Sequence, residues 1–277
     1  SHFLALSGKF GECTVFYGER SPWWVIVKAT GPTGHGSRFI ENPATHRLIR
    51  VAQKAIEYRN QQEALLGYSD CGCKHALAKK LGDVTTVNLT MLKSGISGDG
   101  GETWNLNVIP VEAEAGFDIR ITPSQPMEDV KALLDKWTAE EGLSWEMAPW
   151  SHPLHKHYVT SVGDDAADCT NKADPWWHVF KLSAKAAEIK ICPEVFPAAT
   201  DSRFLRQKGI AAFGFSPMTA TPILLHCHNE FITEKVFLWG IDVYAKMLPV
   251  IGNTKRLATE NEETDSTDTS RKRKRWV

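Results

Sequence analysis

The sequence predicts an α/β chain with an α+β insertion: a four-stranded antiparallel sheet with two helices on one face, followed by a smaller region of helices and strands. Three observations predict it. Rows of alternating apolar and polar residues mark strands, two stretches with helical apolar spacing lie among them, and short apolar runs alternate with helices after about Ser151.

Trp23, Val25, Val27 and Ala29 form the first row, a strand with one dry face. The first helix follows, with Asn42 expected as its cap, Pro43 at its first position, and Ala44, Leu48, Val51, Ala52 and Ala55 on one side. Thr85, Val87, Leu89 and Met91 make the second row. The cleanest row is Val111, Ala113, Ala115, Phe117, Ile119 and Ile121, with Glu112, Glu114, Asp118 and Arg120 facing away. After Ser124 and Pro126, residues Val130, Leu133, Leu134 and Trp137 repeat the helical rule, and Gly142 lies just beyond the end. Leu143 to Ala148 closes the set, leaving the sheet's second face free.

Asp174-Pro175 starts a helix expected to reach about Ile189, and a strand is expected over Ile191 to Phe196. A helical segment at Asp201 to Gln207, a strand at Ile210 to Phe215 and a helix at Ile232 to Leu248 complete the region. Short apolar strands between helices predict a parallel sheet buried on both sides. So few strands cannot close a core, so the region reads as part of a larger α/β domain or as dependent on a partner. From Asn253 onward an acidic, Ser/Thr-rich stretch precedes the basic run Arg271 to Arg275, and a disordered tail is expected. That run reads as a solvated tail or as a nuclear-import or phosphate-binding tag.

With 32 basic and 33 acidic side chains among 277 residues, the net charge of −1 gives no protein-wide field to recruit nucleic acid or an anionic membrane. No apolar run approaches the ~20 residues of a membrane helix. Six cysteines without a regular framework predict reduced thiols and a cytoplasmic location. The opening Ser1-His2-Phe3, with no initiator Met and no signal segment, predicts a truncated or processed product.

Several residues suit chemistry. In Leu225-His226-Cys227-His228-Asn229-Glu230, imidazole, thiol and carboxylate converge; this is half a metal site, or a polar loop capping the last helix. Thr200-Asp201-Ser202-Arg203 brings hydroxyl, backbone N–H groups and guanidinium to the start of a helix. That set suits a carboxylate, or it is simple capping. His35 puts an imidazole on a flexible loop between Gly34 and Gly36, or is a plain surface residue; Asn107 precedes the cleanest strand and is an oxyanion donor or a turn residue. Cys71, Cys73 and His75 read as a loop, and His152, His155 and His157 as solvated linker.

The phrases Glu19-Arg-Ser-Pro-Trp-Trp24, Gly34-His-Gly-Ser-Arg-Phe39, Asn107-Val-Ile-Pro110, Pro197-Ala-Ala-Thr-Asp201 and Gly214-Phe-Ser-Pro-Met218 occur in an order that resembles the aminoacylase and carboxypeptidase family of zinc amidohydrolases. The resemblance covers the family's C-terminal portion. It implies a remnant of a metal-binding domain at 1–19, a lid or dimerisation domain at 20–150, the C-terminal part of the α/β metal-binding domain at 151–252, and a tail at 253–277. It further implies hydrolysis of N-acyl-L-amino acids, zinc as cofactor, and a homodimer formed through the lid.

Residue by residue, the resemblance makes His226 a zinc ligand. His35 and Asn107 become lid donors that reach a partner's site and hydrogen-bond the scissile carbonyl. Arg120, Thr200 and Arg203 become candidates for binding the substrate carboxylate. The sequence matches none of the family's His-x-Asp segment, bridging Asp and Glu-Glu pair, and it has Ala5-Leu6-Ser7-Gly8 where the family places a Glu ligand. The chain alone is therefore expected to be inactive, or to serve as a non-catalytic pairing module. The Gly-rich stretch Lys93 to Thr103 is longer than in the family and is expected to enlarge the hairpin before Asn107, with room to displace it.

Overall fold

An alternating row becomes a strand because every second side chain can then leave water together. The computed structural model describes residues 10–67, 79–165, 172–224 and 227–254. In chain order the elements are β1 (Glu12–Glu19), β2 (Ser21–Thr30), β3 (Gly34–His35), α1 (Ala44–Ala64), β4 (Thr86–Ser94), β5 (Val108–Ile109), β6 (Glu112–Ile121), α2 (Met127–Trp137) and β7 (Leu143–Met147). There follow α3 (Pro175–Ala186), β8 (Lys190–Phe196), α4 (Ser202–Gln207), β9 (Gly214–Phe215) and α5 (Glu234–Gly252). The chain divides into two compact units. One comprises the residues up to Cys13, Pro175–Ile191 and the chain from Pro217 onward; the other comprises Thr14–Asp174 and Cys192–Ser216.

The larger unit holds the antiparallel sheet, ordered β4-β6-β2-β7. Register pairs Val25 with Phe117 and Val27 with Ala115, so the predicted dry rows share one face. Leu48, Val51 and Ala55 of α1 and Val130, Leu134 and Trp137 of α2 complete a single buried cluster against that face. The opposite face carries charge: Lys28 pairs with Glu146 at 2.7 Å, and Arg120 with Asp118 at 2.6 Å.

Three local expectations are corrected. Met91 was expected beside Val87 and Leu89, but a register shift between Leu89 and Met91 reverses the facing, so Met91 lies opposite Gly116 and Leu92 opposite Ala115. Asn42 does not cap α1. It holds a positive φ of 48°, which asparagine tolerates, Pro43 occupies the cap position, and the Asn42 Oδ1 instead accepts from Arg50 at 3.3 Å. The chain can turn there because Gly31 has no side chain: a Cβ would come within 2.5 Å of the Ala44 nitrogen. His157 is no solvated linker residue. Its Nε2 donates to the Gln125 carbonyl at 2.9 Å, which leaves Nδ1 of the neutral ring to accept from the Ser21 hydroxyl at 3.1 Å.

A second sheet runs in the order β8-β1-β9. The expectation of a wholly parallel sheet fails at β9, which is antiparallel to β1, with Val15 opposite Phe215 and Phe16 opposite Gly214. The predicted strand from Ile210 shrinks to Gly214–Phe215. Its earlier residues are drawn off the ladder because Arg206 takes the Ala212 carbonyl through both Nε, at 3.0 Å, and Nη2, at 2.9 Å.

In the smaller unit α3 and α5 pack together, with Trp177, Val179, Val243 and Met247 buried. Phe10 lies 4.9 Å from Trp239, ring to ring, and the Lys235 ammonium covers the Phe10 ring at 5.1 Å. Thr233 caps α5, accepting from the Val236 N–H at 3.4 Å. Phe237, Leu238, Ile241 and Leu248 on α5 are more than half exposed or close to it. Among the described residues no helix is long and apolar enough to cross a membrane.

Burial lowers the His157 pKa below its ordinary 6.5, and the Gln125 carbonyl and Glu128 oppose that shift only partly. The unfolded chain therefore binds the proton more readily, so the stability this residue contributes is present above about pH 6.5 and is lost as pH falls below it. Urea denaturation between pH 7 and pH 5 should show a His157-dependent slope of at most about 1.4 kcal/mol per pH unit, flattened in His157→Gln. An unchanged slope in that variant would refute the assignment.

Candidate functional site

Two short strands bring the expected donors together. β3 pairs antiparallel with β5, with Gly34 opposite Ile109 and His35 opposite Val108. One residue beyond each pair, the Gly36 N–H donates to the Asn107 carbonyl at 2.6 Å. The Thr33 hydroxyl donates to the Ile109 carbonyl at 2.6 Å and closes the other end. His35 and Asn107 are therefore neighbours across this ribbon, both exposed. The Gly-rich stretch Lys93 to Thr103 does not separate them.

The His35 ring is oriented by its own turn. Its Nδ1 lies 3.2 Å from the Ser37 N–H, which can only donate, and 2.8 Å from the Ser37 hydroxyl. Nδ1 is thereby fixed as the acceptor of the neutral ring, and Nε2 carries the proton. The Gly36–Asn107 bond sets the two backbones side by side, and the His35 ring and the Asn107 carboxamide are both exposed N–H donors.

The three residues expected at a substrate carboxylate have separate fates. Arg120 is held by a bidentate pair with Asp118, at 2.6 Å from Nε and 2.8 Å from Nη2, and the Trp24 indole donates to the same carboxylate at 3.3 Å. Thr200 does grip a carboxylate, but it is the chain's own Glu19, which accepts from both the Thr200 N–H and its hydroxyl, the latter at 2.7 Å. Arg203 has no carboxylate partner among the described residues; its guanidinium stands 4.7 Å above the Phe204 ring.

The group that sequence reasoning missed surrounds Glu19. Arg206 reaches its second oxygen at 3.4 Å, and the two side chains are 3% and 4% exposed. Burial lowers the Arg206 pKa, and the Glu19 charge works against that shift. The next residue, Arg20, is also buried. It donates to the carbonyls of Pro197 at 2.6 Å and Val84 at 3.2 Å, and to the Thr86 hydroxyl at 3.1 Å. Desolvation, and to a lesser extent Arg120, push its pKa down to about 10. The available signal was the unbroken run Glu19-Arg20-Ser21 between two apolar strands, a place where charges survive only when paired.

His226 lies outside the described residues, as do Cys71, Cys73, His75 and the basic run Arg271 to Arg275. Among the described residues, no three His, Cys, Asp or Glu side chains gather as metal ligands would. The zinc implied by the resemblance finds no fitting ligand set among these residues.

Removing one partner of the Glu19–Arg206 pair strands a buried charge. Glu19→Ala should lower the unfolding free energy by about 3–5 kcal/mol in urea titrations, whereas removing both charges should cost less than the sum of the single changes. Strictly additive losses would show that the pair is not coupled.

Comparison with known proteins gives the chain's relatives. The peptidase dimerisation domain family matches residues 17–146. Aminoacylase-1 of Dictyostelium discoideum is 48% identical over 248 residues, which cover 90% of this chain and 57% of that protein. Aminoacylase-1 of Mus musculus is 39% identical over 250 residues, covering 90% and 55%. The chain thus spans a little over half the length of these curated relatives. Among solved structures, a tripeptidase from Staphylococcus aureus superposes with a TM-score of 0.58 at 17% identity, covering 90% of this chain and 56% of that one. Aminopeptidase PepT from Bacillus cereus gives 0.54 at 15% identity, covering 89% and 55%. At such identities these two speak for the fold alone. The chain is accordingly a homologue of the aminoacylase-1 proteins over part of their length, and its four-stranded sheet lies almost wholly within the residues that match the peptidase dimerisation domain family.

Proposed function

We propose that this chain serves the hydrolysis of N-acyl-L-amino acids to a carboxylate and a free amino acid, contributing His35 and Asn107 to the scissile carbonyl. The observation that carries the reading is the β3–β5 ribbon, with the Gly36 N–H on the Asn107 carbonyl and the His35 Nε2 proton available. When water adds to the amide, negative charge collects on the former carbonyl oxygen. The two N–H groups stabilise that charge, each worth about 3–4 kcal/mol in comparable sites. Arg203 is the guanidinium we assign to the substrate carboxylate, since Arg120 and Thr200 already hold Asp118 and Glu19.

These residues bind and polarise, but they do not supply the base that deprotonates water. We assign the two donors their role in trans, across a dimer. A cytoplasmic location and zinc on the completed enzyme belong to the same reading. Edge strand β4 favours pairing: its Met91 and Leu92 are 38% and 59% exposed, on opposite faces of the strand. An exposed apolar edge of this kind invites a second strand.

The chain alone should leave N-acetyl-L-methionine intact. Mixed with an aminoacylase-1 subunit stripped of its own lid histidine and asparagine, it should restore turnover, and a His35→Ala, Asn107→Ala chain should restore about 100-fold less. Chelator-sensitive turnover by the chain alone, or equal rescue by the double variant, would overturn the reading. Light scattering should find a dimer that Leu92→Arg drives toward monomer; a monomeric wild-type chain would remove the pairing role.

A further inference from the structure

The stretch between β4 and β5 has almost no core to hold it, yet it ends on Asn107. Most of its side chains are exposed, Leu106 fully so at 94%. Ordering such a segment costs conformational entropy that apolar burial does not offset here. One side chain gathers it instead. The Asp99 carboxylate accepts from the Ser97 hydroxyl at 2.6 Å and the Thr103 N–H at 2.9 Å through one oxygen, and from the Thr103 hydroxyl at 2.5 Å through the other. The Ser97 hydroxyl in turn accepts from the Gly101 N–H at 2.8 Å.

This knot connects directly to the donor ribbon. Immediately after Thr103, the Trp104 ring covers Gly95, where a Cβ would lie 2.6 Å from Trp104 Cε3. The Asn105 N–H donates to the Ile96 carbonyl at 2.9 Å, closing the neck of the loop. The Val108 N–H donates to Asn105 at 3.4 Å, and Val108 pairs with His35. Between the Asp99 contacts and the Gly36–Asn107 bond there is no slack segment.

We propose that Asp99 is a positioning residue that ties off the Gly-rich loop and so keeps Asn107 beside His35. Its importance for hydrolysis rests on the oxyanion role assigned above to Asn107; its structural action does not. The hydrogen bonds from Ser97 and Thr103 also hold the Asp99 carboxyl well below the usual carboxylate range, as expected of an acceptor with several donors. The loop is thereby closed on itself, because Ser97, Asp99, Gly101 and Thr103 bond to one another and the strand that follows pairs with β3.

Amide hydrogen exchange on the 277-residue chain tests this without turnover. The Gly36 N–H reads the bond to Asn107. In Asp99→Ala its protection should fall about tenfold or more, while the β2 and β6 amides around Val25 and Phe117 keep theirs. Asp99→Asn, which retains an oxygen for the Thr103 N–H, should restore most of the protection. Ser97→Ala and Thr103→Val, each removing one donor, should give smaller losses at Gly36 and carry the test should Asp99→Ala not fold. Protection at Gly36 unchanged in all four variants, with the Gly101 and Thr103 amides freed, would confine Asp99 to its own loop and overturn the proposal. Because no activity is measured, failure here is separable from failure of the proposed hydrolysis.

Discussion

Charges that cannot reach water govern the larger unit. Glu19, Arg20 and Arg206 are buried, and each lies where chain segments distant in sequence meet. An unpaired ion in such a place is costly enough to unfold a marginal protein. The cost is avoided only if Thr200, Phe196, Pro197 and Ala212 arrive together, because they supply the donors and acceptors that complete the set. Residues nearly two hundred positions away are thus recruited to the start of the sheet by electrostatics as much as by apolar contact. β1, α4 and the truncated β9 take their shapes from this demand.

The donor ribbon obeys a different constraint. β3 and β5 are two residues long and bury little. Main-chain bonds, the Thr33 hydroxyl and the loop knotted at Asp99 supply the order that packing does not. Exposed, hydrogen-bonded and connected to a rigid sheet, such a ribbon can present polar groups outward while its own backbone stays satisfied. The Ser37 turn adds a chemical choice to the geometric one by deciding which imidazole nitrogen bears the proton.

Sequence was an accurate guide where periodicity had time to repeat. The rows through Val27 and Ala115 and the helices through Leu48 and Leu134 fall where alternation and helical spacing put them, because a long dry face permits only one register. It misled where a single residue changed the count: the irregularity at Thr90 turned Met91 to the other face, and a left-handed Asn42 moved the cap to Pro43. A second sheet was expected, but its strand order and the antiparallel β9 were hidden because its strands come from separated segments, and long-range pairing leaves no local trace. Among the candidate residues, the neighbourhood of His35 and Asn107 could be suspected from their phrases. That the Thr200 segment binds Glu19 could not, since a carboxylate inside the chain and one on a ligand look alike to a row of donors.

The joint between β1 and β2 is a single residue. Arg20 separates Glu19 from Ser21, its N–H bonds the Phe196 carbonyl, and its side chain reaches three acceptors. Such a hinge tolerates neither insertion nor deletion. Because the dry row through Trp23 and Val25 holds β2 in register, a residue gained there would have to be looped out, pulling the Arg20 N–H and guanidinium from their acceptors.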